Sequence, residues 1–141
     1  QQVRSIDVGK SKVQIAVAHR GALETRRGRV AEHDLVTEVY VVMSGGGTIL
    51  TGADLVNKVR RPPDYRAVQF LNGPGNNAED VRDGVTHELK QGDVFVIPAG
   101  TGHEFTEIPD HITYMMVRVD PDKVVPLLDA AASRAYLKTH E

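Results

Sequence analysis

Through residue 120 the chain is a succession of short β-rich runs, each cut off by Gly, Pro, Asn or Asp, and this punctuation restricts the fold to an all-β sandwich or barrel. Val13 to Ala18 is expected as a strand with Val13, Ile15 and Val17 on one face. Glu38 to Met43 is expected as another. Ser44-Gly45-Gly46-Gly47 then reads as a hairpin turn and Thr48 to Thr51 as the returning strand. Further strands are expected at Val85 to Leu89, Val94 to Ile97, His103 to Thr106 and Ile112 to Val119, joined as antiparallel hairpins.

A helical pattern begins only after Pro121. Pro126 suits a first helical turn, Leu127, Leu128, Ala131 and Leu137 form a loose apolar stripe, and a helix over about 122–139 is expected to pack outside the barrel. Between Asn57 and Gly84 the composition shifts, from Arg60-Arg61-Pro62-Pro63 to Asn72-Gly73-Pro74-Gly75-Asn76-Asn77, as for a long excursion off the barrel. Tyr65, Val68 and Phe70 could cover a pocket mouth or a dimer partner, although an ordered surface flap is the plainer reading. At 141 residues, with no internal repeat, the chain is expected to be a single domain over 1–141.

Composition narrows the function. Lys and Arg number 17 against 19 Asp and Glu, a net charge of −2 with no block of like charges of the length (about five or more) that marks a charged tail, so neither nucleic acid nor an anionic membrane is an expected partner. No apolar stretch approaches the roughly 20 residues that span a bilayer, and a soluble chain is expected. The start at Gln1 is compatible with signal-peptide removal and equally with a trimmed chain, which leaves the compartment open. With no cysteine, any metal must be held by His, Asp or Glu.

Six histidines fall at 19, 33, 87, 103, 111 and 140. Two stretches set some of them in a usable context: His33 to Gly45, where His33 and Glu38 flank a strand entrance, and Gly92 to His103, a strand, a Pro-Gly corner and a histidine opening the next strand. Two imidazoles and a carboxylate suit Fe, Mn, Ni, Cu or Zn and leave coordination positions open. Tyr40 and Val42 share the face of Glu38 and point it inward. A lone His103 would read more readily as a hydrogen-bonded core residue; its pairing with His33 and Glu38 favours metal. His111 reads as a surface turn residue, His140 as terminal, and His19 as a loop or anion-contact residue.

These stretches resemble the two motifs of the cupin superfamily. Glu38, six residues and Gly45 fit the end of the first, while Gly92, Pro98, Gly100 and His103 fit the second, with Glu107 where the family often has Asn. The resemblance spans residues 13–119 and implies a cupin-type double-stranded β-helix, a jelly-roll barrel, followed here by a C-terminal α-helix. It also implies one divalent metal ion on His33, Glu38 and His103. The first motif's histidine pair falls on Ala31 and His33 in one register and on Glu32 and Asp34 in the other. The first is preferred because it keeps two imidazoles and one carboxylate, with Glu32, Asp34, His19 or His87 able to add a ligand in place of Ala31.

The expected function is a metal-dependent enzyme on a small organic molecule, of dioxygenase, isomerase or lyase type. In the dioxygenase form Tyr40 or Glu107 orients substrate, and in the others Glu107 or Glu32 moves a proton. The alternative is a binding module that captures a small ligand without turning it over; a storage-type barrel is weaker, because inward His and Glu are costly without a role. On β-strand parity, Phe105 and Glu107 share the face of His103. Thr113, Met115, Val117 and Val119 are expected to line the barrel, with Tyr114, Met116 and Arg118 on the outer face, against another subunit of a homodimer or against the terminal helix.

Overall fold

The computed structural model of the chain describes residues 2–139; Gln1 and His140 lie outside the described residues. Twelve strands precede one helix: β1 (Gln2–Val8), β2 (Ser11–Arg20), β3 (Val30–His33), β4 (Thr37–Gly52), β5 (Asp54–Val56), β6 (Val59–Arg60), β7 (Gly75–Ala78), β8 (Asp80–Arg82), β9 (Val85–Lys90), β10 (Val94–Ile97), β11 (Gly102–Glu107), β12 (Ile112–Asp120) and α1 (Ala130–Lys138). Every pairing is antiparallel. β1, β2, β12, the first half of β4 and β10 form one layer. The second half of β4 with β9, β11, β3, β7 and β6 forms the other. No helix among the described residues is long and apolar enough to cross a membrane.

The glycine triplet does not make the expected hairpin turn. β4 runs unbroken through it for 16 residues and passes from one layer to the other there. Gly45 holds a positive φ of 69°, and a side chain on it would collide with the carbonyl of His111; one on Gly46 would meet the carbonyl of Leu89. A strand that must bend and slide beneath two backbones at once needs residues without Cβ. The turn chemistry of Gly-Gly-Gly is thus spent on a corner rather than on a reversal.

Between the layers lies an apolar cluster of Ala16, Tyr40, Val42, Ile49, Leu89, Ile97, Ile108, Ile112, Tyr114 and Met116. Of two expectations about facing, the shared face of Val13, Ile15 and Val17 on β2 is found and that of β12 is corrected. On β2 the inward residues are Lys12, Gln14 and Ala16, whereas Val13, Ile15 and Val17 share the less buried face. On β12 the parity is the reverse of that expected: Ile112, Tyr114, Met116, Arg118 and Asp120 are buried, and Thr113, Met115, Val117 and Val119 are the partly exposed set. Inward Arg118 is tolerable because a buried carboxylate meets it, as described below. The face once assigned to a second subunit is therefore the barrel's own lining.

The excursion of residues 57–84 carries structure of its own. β7 returns to pair with β3, β5 and β8 pair with each other, and a single π-helical turn spans Val68–Asn72. The C-terminal helix is shorter than expected. The Asp120 carboxylate accepts from the backbone N–H of Val124 and Val125 at 2.9 Å each, and Lys123 adopts a left-handed φ of 54°, so the chain turns instead of coiling. Pro126, Leu127 and Leu128 consequently precede α1, which is capped by Asp129 accepting from Ala132 at 2.8 Å. Leu137 is exposed rather than part of a buried stripe. The helix instead leans Tyr136 on Phe70, with ring centroids 5.1 Å apart, while Arg66 donates to its hydroxyl at 2.9 Å, which braces the π-helical turn.

Candidate metal centre

Three elements deliver the ligand-type side chains to one end of the barrel. β11 pairs with β3 through His103 and Ala31, and His33 closes β3 two residues further on. The corner at Pro98 to Thr101 is tied down by Gly100, whose N–H donates to the His33 carbonyl at 2.7 Å. Glu38 enters from the start of β4, where it faces Arg118 of β12 across the ladder.

His33, Glu38 and His103 are all buried, and their ligand atoms lie within 4.8 Å of one another. His33 Nε2 is 3.7 Å from Glu38 Oε1, and His103 Nε2 is 3.5 Å from Glu38 Oε2. Metal–ligand bonds of about 2.0–2.2 Å place neighbouring ligand atoms roughly that far apart. His103 Nδ1 donates to the Thr101 carbonyl at 3.1 Å, which in the neutral ring leaves the Nε2 lone pair aimed at the carboxylate. Two lone pairs facing each other call for a proton or a cation between them. The donor set therefore fits a divalent transition metal ion.

The carboxylate is anchored from several other directions. Tyr40 donates its hydroxyl to Oε2 at 2.8 Å; Arg118 Nε at 2.9 Å and Asn72 Nδ2 at 2.8 Å both donate to Oε1. Asn72 Nδ2 also lies 3.0 Å from His33 Nε2, and Arg61 Nη1 lies 3.4 Å from His33 Nδ1. Burial alone would push the Glu38 carboxyl up, but His103, His33 and Arg118 together hold it well below the usual carboxylate range. Burial pulls His33 down to about 3, outweighing the attraction of Glu38, so its ring is neutral and available as a ligand at ordinary pH. Burial and then the Glu38 charge raise the Tyr40 phenol well above its ordinary value and keep it a donor.

These groups border a cavity of about 250 Å³ that Arg20, Tyr65, Tyr114 and Met116 also line. Of the side chains expected at the site, His33, Glu38, His103 and Tyr40 come together. Glu107 does not join them: the β11 register shifts between Phe105 and Glu107, and Glu107 emerges exposed beside Gly45 to Gly47 and His111. Phe105 stays inside, against Tyr40 and Tyr114. Nor does another ligand replace Ala31. The Glu32 carboxylate accepts from Asn76 at 2.6 Å, Asp34 pairs with Arg60, His19 meets Thr113 at 2.7 Å, and His87 meets Thr51 at 3.1 Å. His111, assigned to a turn, contacts Asp110 and Ser44.

Sequence reasoning missed Arg118, Asn72, Arg61 and Arg20. Parity alone sets Arg118 on the outer face, and Asn72 lies in a turn-forming run; a signal is nonetheless available, since an Arg alternating with Tyr114 and Met116 on an apolar strand needs an inward acid.

The two motif stretches meet inside one two-layered antiparallel barrel, the arrangement that the cupin resemblance implies. Residues 81–141 match the family model described as the AraC-like ligand-binding domain. No curated protein matches the chain. Among solved structures, one described as DMSP lyases is 19% identical over 75% of this chain and 37% of its own, with a TM-score of 0.44. Hydroquinone 1,2-dioxygenase from Sphingomonas sp. TTNP3 is 14% identical over 78% of this chain and 59% of its own, with a TM-score of 0.46. A cupin-2 domain containing protein from Shewanella frigidimarina is 17% identical over 83% of this chain and 80% of its own, at 0.39. The chain thus spans little more than a third of the lyase chain and under two thirds of the dioxygenase chain.

Proposed function

We propose that the chain binds one divalent transition metal ion through His33, Glu38 and His103 and acts on a small organic molecule held in the adjoining cavity. The observation that carries this reading is the convergence of two buried imidazoles on the two oxygens of one buried, ionised carboxylate. A bound ion would supply Lewis-acid polarisation of a carbonyl or carboxylate, or a centre for oxygen chemistry. The remaining work belongs to the chain's own residues. Thr101 fixes the tautomer of His103, and Tyr40 and Arg118 hold Glu38 in one orientation. Asn72, carried by the π-helical turn, borders the site from the excursion.

Dioxygenase, isomerase and lyase chemistry are all served by such a centre, and the lining restricts how it could proceed. Glu38 is the single carboxylate that lines the cavity among the described residues, so proton transfer by Glu107 or Glu32 has no geometric support. A second reading, capture of a small ligand without turnover, draws on the likeness of residues 81–141 to a ligand-binding domain. Elemental analysis of the untagged protein and of His103→Ala tests the metal. About one equivalent per chain, lost in the variant, supports the site; no uptake of Fe, Mn, Ni, Cu or Zn by the folded wild type would remove it. Product formation from a bound compound, as against its unchanged recovery after long incubation, separates enzyme from binder.

A further inference from the structure

The charge of the cavity is lopsided. Three guanidiniums, Arg20, Arg61 and Arg118, line it against a single carboxylate, Glu38. Arg118 Nε is bonded to that carboxylate at 2.9 Å, so Arg20 and Arg61 are the cations in excess. A bound divalent ion would deepen the imbalance.

Neither excess guanidinium has an acid of its own in the cavity. Arg61 is buried and donates Nε to the Asn77 side chain and Nη2 to the Asn76 carbonyl, both at 2.8 Å and both neutral. The nearest acids act on Arg61 through space without a direct bond: Glu32, the strongest of them, is bonded to the neutral Asn76 amide, and Asp34 pairs with Arg60. Arg20 donates Nε to the Tyr114 hydroxyl at 3.1 Å and lies over the Phe105 ring, 5.5 Å from its centroid. Among the described residues its Nη groups have no hydrogen-bond partner. A planar guanidinium stacked on an aromatic ring with its outer N–H groups unspent is a rigid fork for an anion. Arg20 is exposed to solvent and Arg61 is buried, so the cost of holding charge away from water falls on Arg61, and an anion held between the two guanidiniums would offset it.

The rest of the lining says what the anion carries. Tyr65, Met116 and Ala31 present carbon surface, which suits an organic body rather than a bare inorganic ion. The cavity's roughly 250 Å³ lies below the ~300–1,000 Å³ of drug-sized pockets, so that body is small. We propose that the compound taken by this cavity is a small organic carboxylate, its anionic head gripped by Arg20 and Arg61 and its carbon part set against Tyr65 and Met116. This deepens the functional reading above and rests on its assignment of the cavity as the small-molecule site.

The test is calorimetric titration of the full chain with acetate, pyruvate and benzoate, each against its neutral amide, and with inorganic phosphate, alongside elemental analysis of every sample. At least one carboxylate is expected to bind about 10-fold or more tighter than its amide, as for charge-assisted hydrogen bonds. Arg20→Gln should abolish most of that preference with metal content unchanged, and Arg61→Gln, whose guanidinium also touches His33, should abolish most of it whatever its metal content. R20K, which keeps charge but not the fork, checks folding and should retain part of the binding. No preference for any carboxylate over its amide, phosphate bound more tightly than every carboxylate, or a preference undiminished in both glutamine variants would each overturn the proposal. Carboxylate preference in a metal-free protein would uphold it and sink the metal reading. Metal without the preference would do the opposite.

Discussion

Along β12 every second side chain enters the barrel, yet the character of that face reverses from one end to the other: Ile112, Tyr114 and Met116 join the apolar cluster, while Arg118 and Asp120 bring charge. β4 repeats the gradient, with Ile49 and Val42 at the apolar end, Tyr40 between, and Glu38 at the ionic end. The two ends are equally buried and rest on the same alternation, but different forces hold them. Each large apolar side chain taken from water contributes about 1.5–3 kcal/mol. A buried ion pair returns little net stability, because desolvation offsets its attraction. Tyr40 joins the two regimes, its ring 4.4 Å from that of Tyr114 and its hydroxyl on Glu38.

The largest expected break comes from the ionic end. Glu38→Ala would strand Arg118 without its carboxylate and remove the acceptor of Tyr40 and Asn72, and should cost about 3–5 kcal/mol in urea unfolding together with all metal uptake. The apolar end should break differently. Ile49→Ala leaves a void in the cluster and should cost about 2–5 kcal/mol, with metal content and ligand preference as in the wild type. A stability loss in Ile49→Ala that also emptied the metal site would show the two ends to be one cooperative unit rather than a scaffold and a site. An unchanged denaturation midpoint for Glu38→Ala would mean that Arg118 finds water or another partner.

How far the sequence discloses this division depends on whether a feature is local. The Glu38 to Gly45 spacing and the corner from Gly92 to His103 were legible, because they are short intervals tied to strand and turn geometry, and the structure brings His33, Glu38 and His103 within reach of one another. The two-layered antiparallel barrel was legible from the same stretches. The facing of β12 was not, because either face of Ile112 to Asp120 carries apolar residues and the choice is made by Glu38, 80 positions away in sequence, bonding Arg118. The glycine triplet misled for a related reason: its conformational freedom is local, but its use at a layer corner is set by the His111 and Leu89 carbonyls packed against it. Glu107 was lost to a register shift that strict alternation does not foresee.

Asn72 offers the finest test of where scaffold gives way to site. Its amide donates to Glu38 Oε1 at 2.8 Å and lies 3.0 Å from His33 Nε2, so it satisfies two of the lone pairs that a metal ion would claim. Asn72→Ala should therefore pull stability and metal binding in opposite directions. Without metal, a buried carboxylate oxygen loses a donor, and the variant should be less stable than wild type by about 1–3 kcal/mol. With the competing amide gone, metal affinity, read by competition with a chromogenic chelator, should hold or rise. A fall in affinity comparable to that of His103→Ala would instead make Asn72 part of the coordination sphere, and the π-helical turn that carries it would then belong to the site itself.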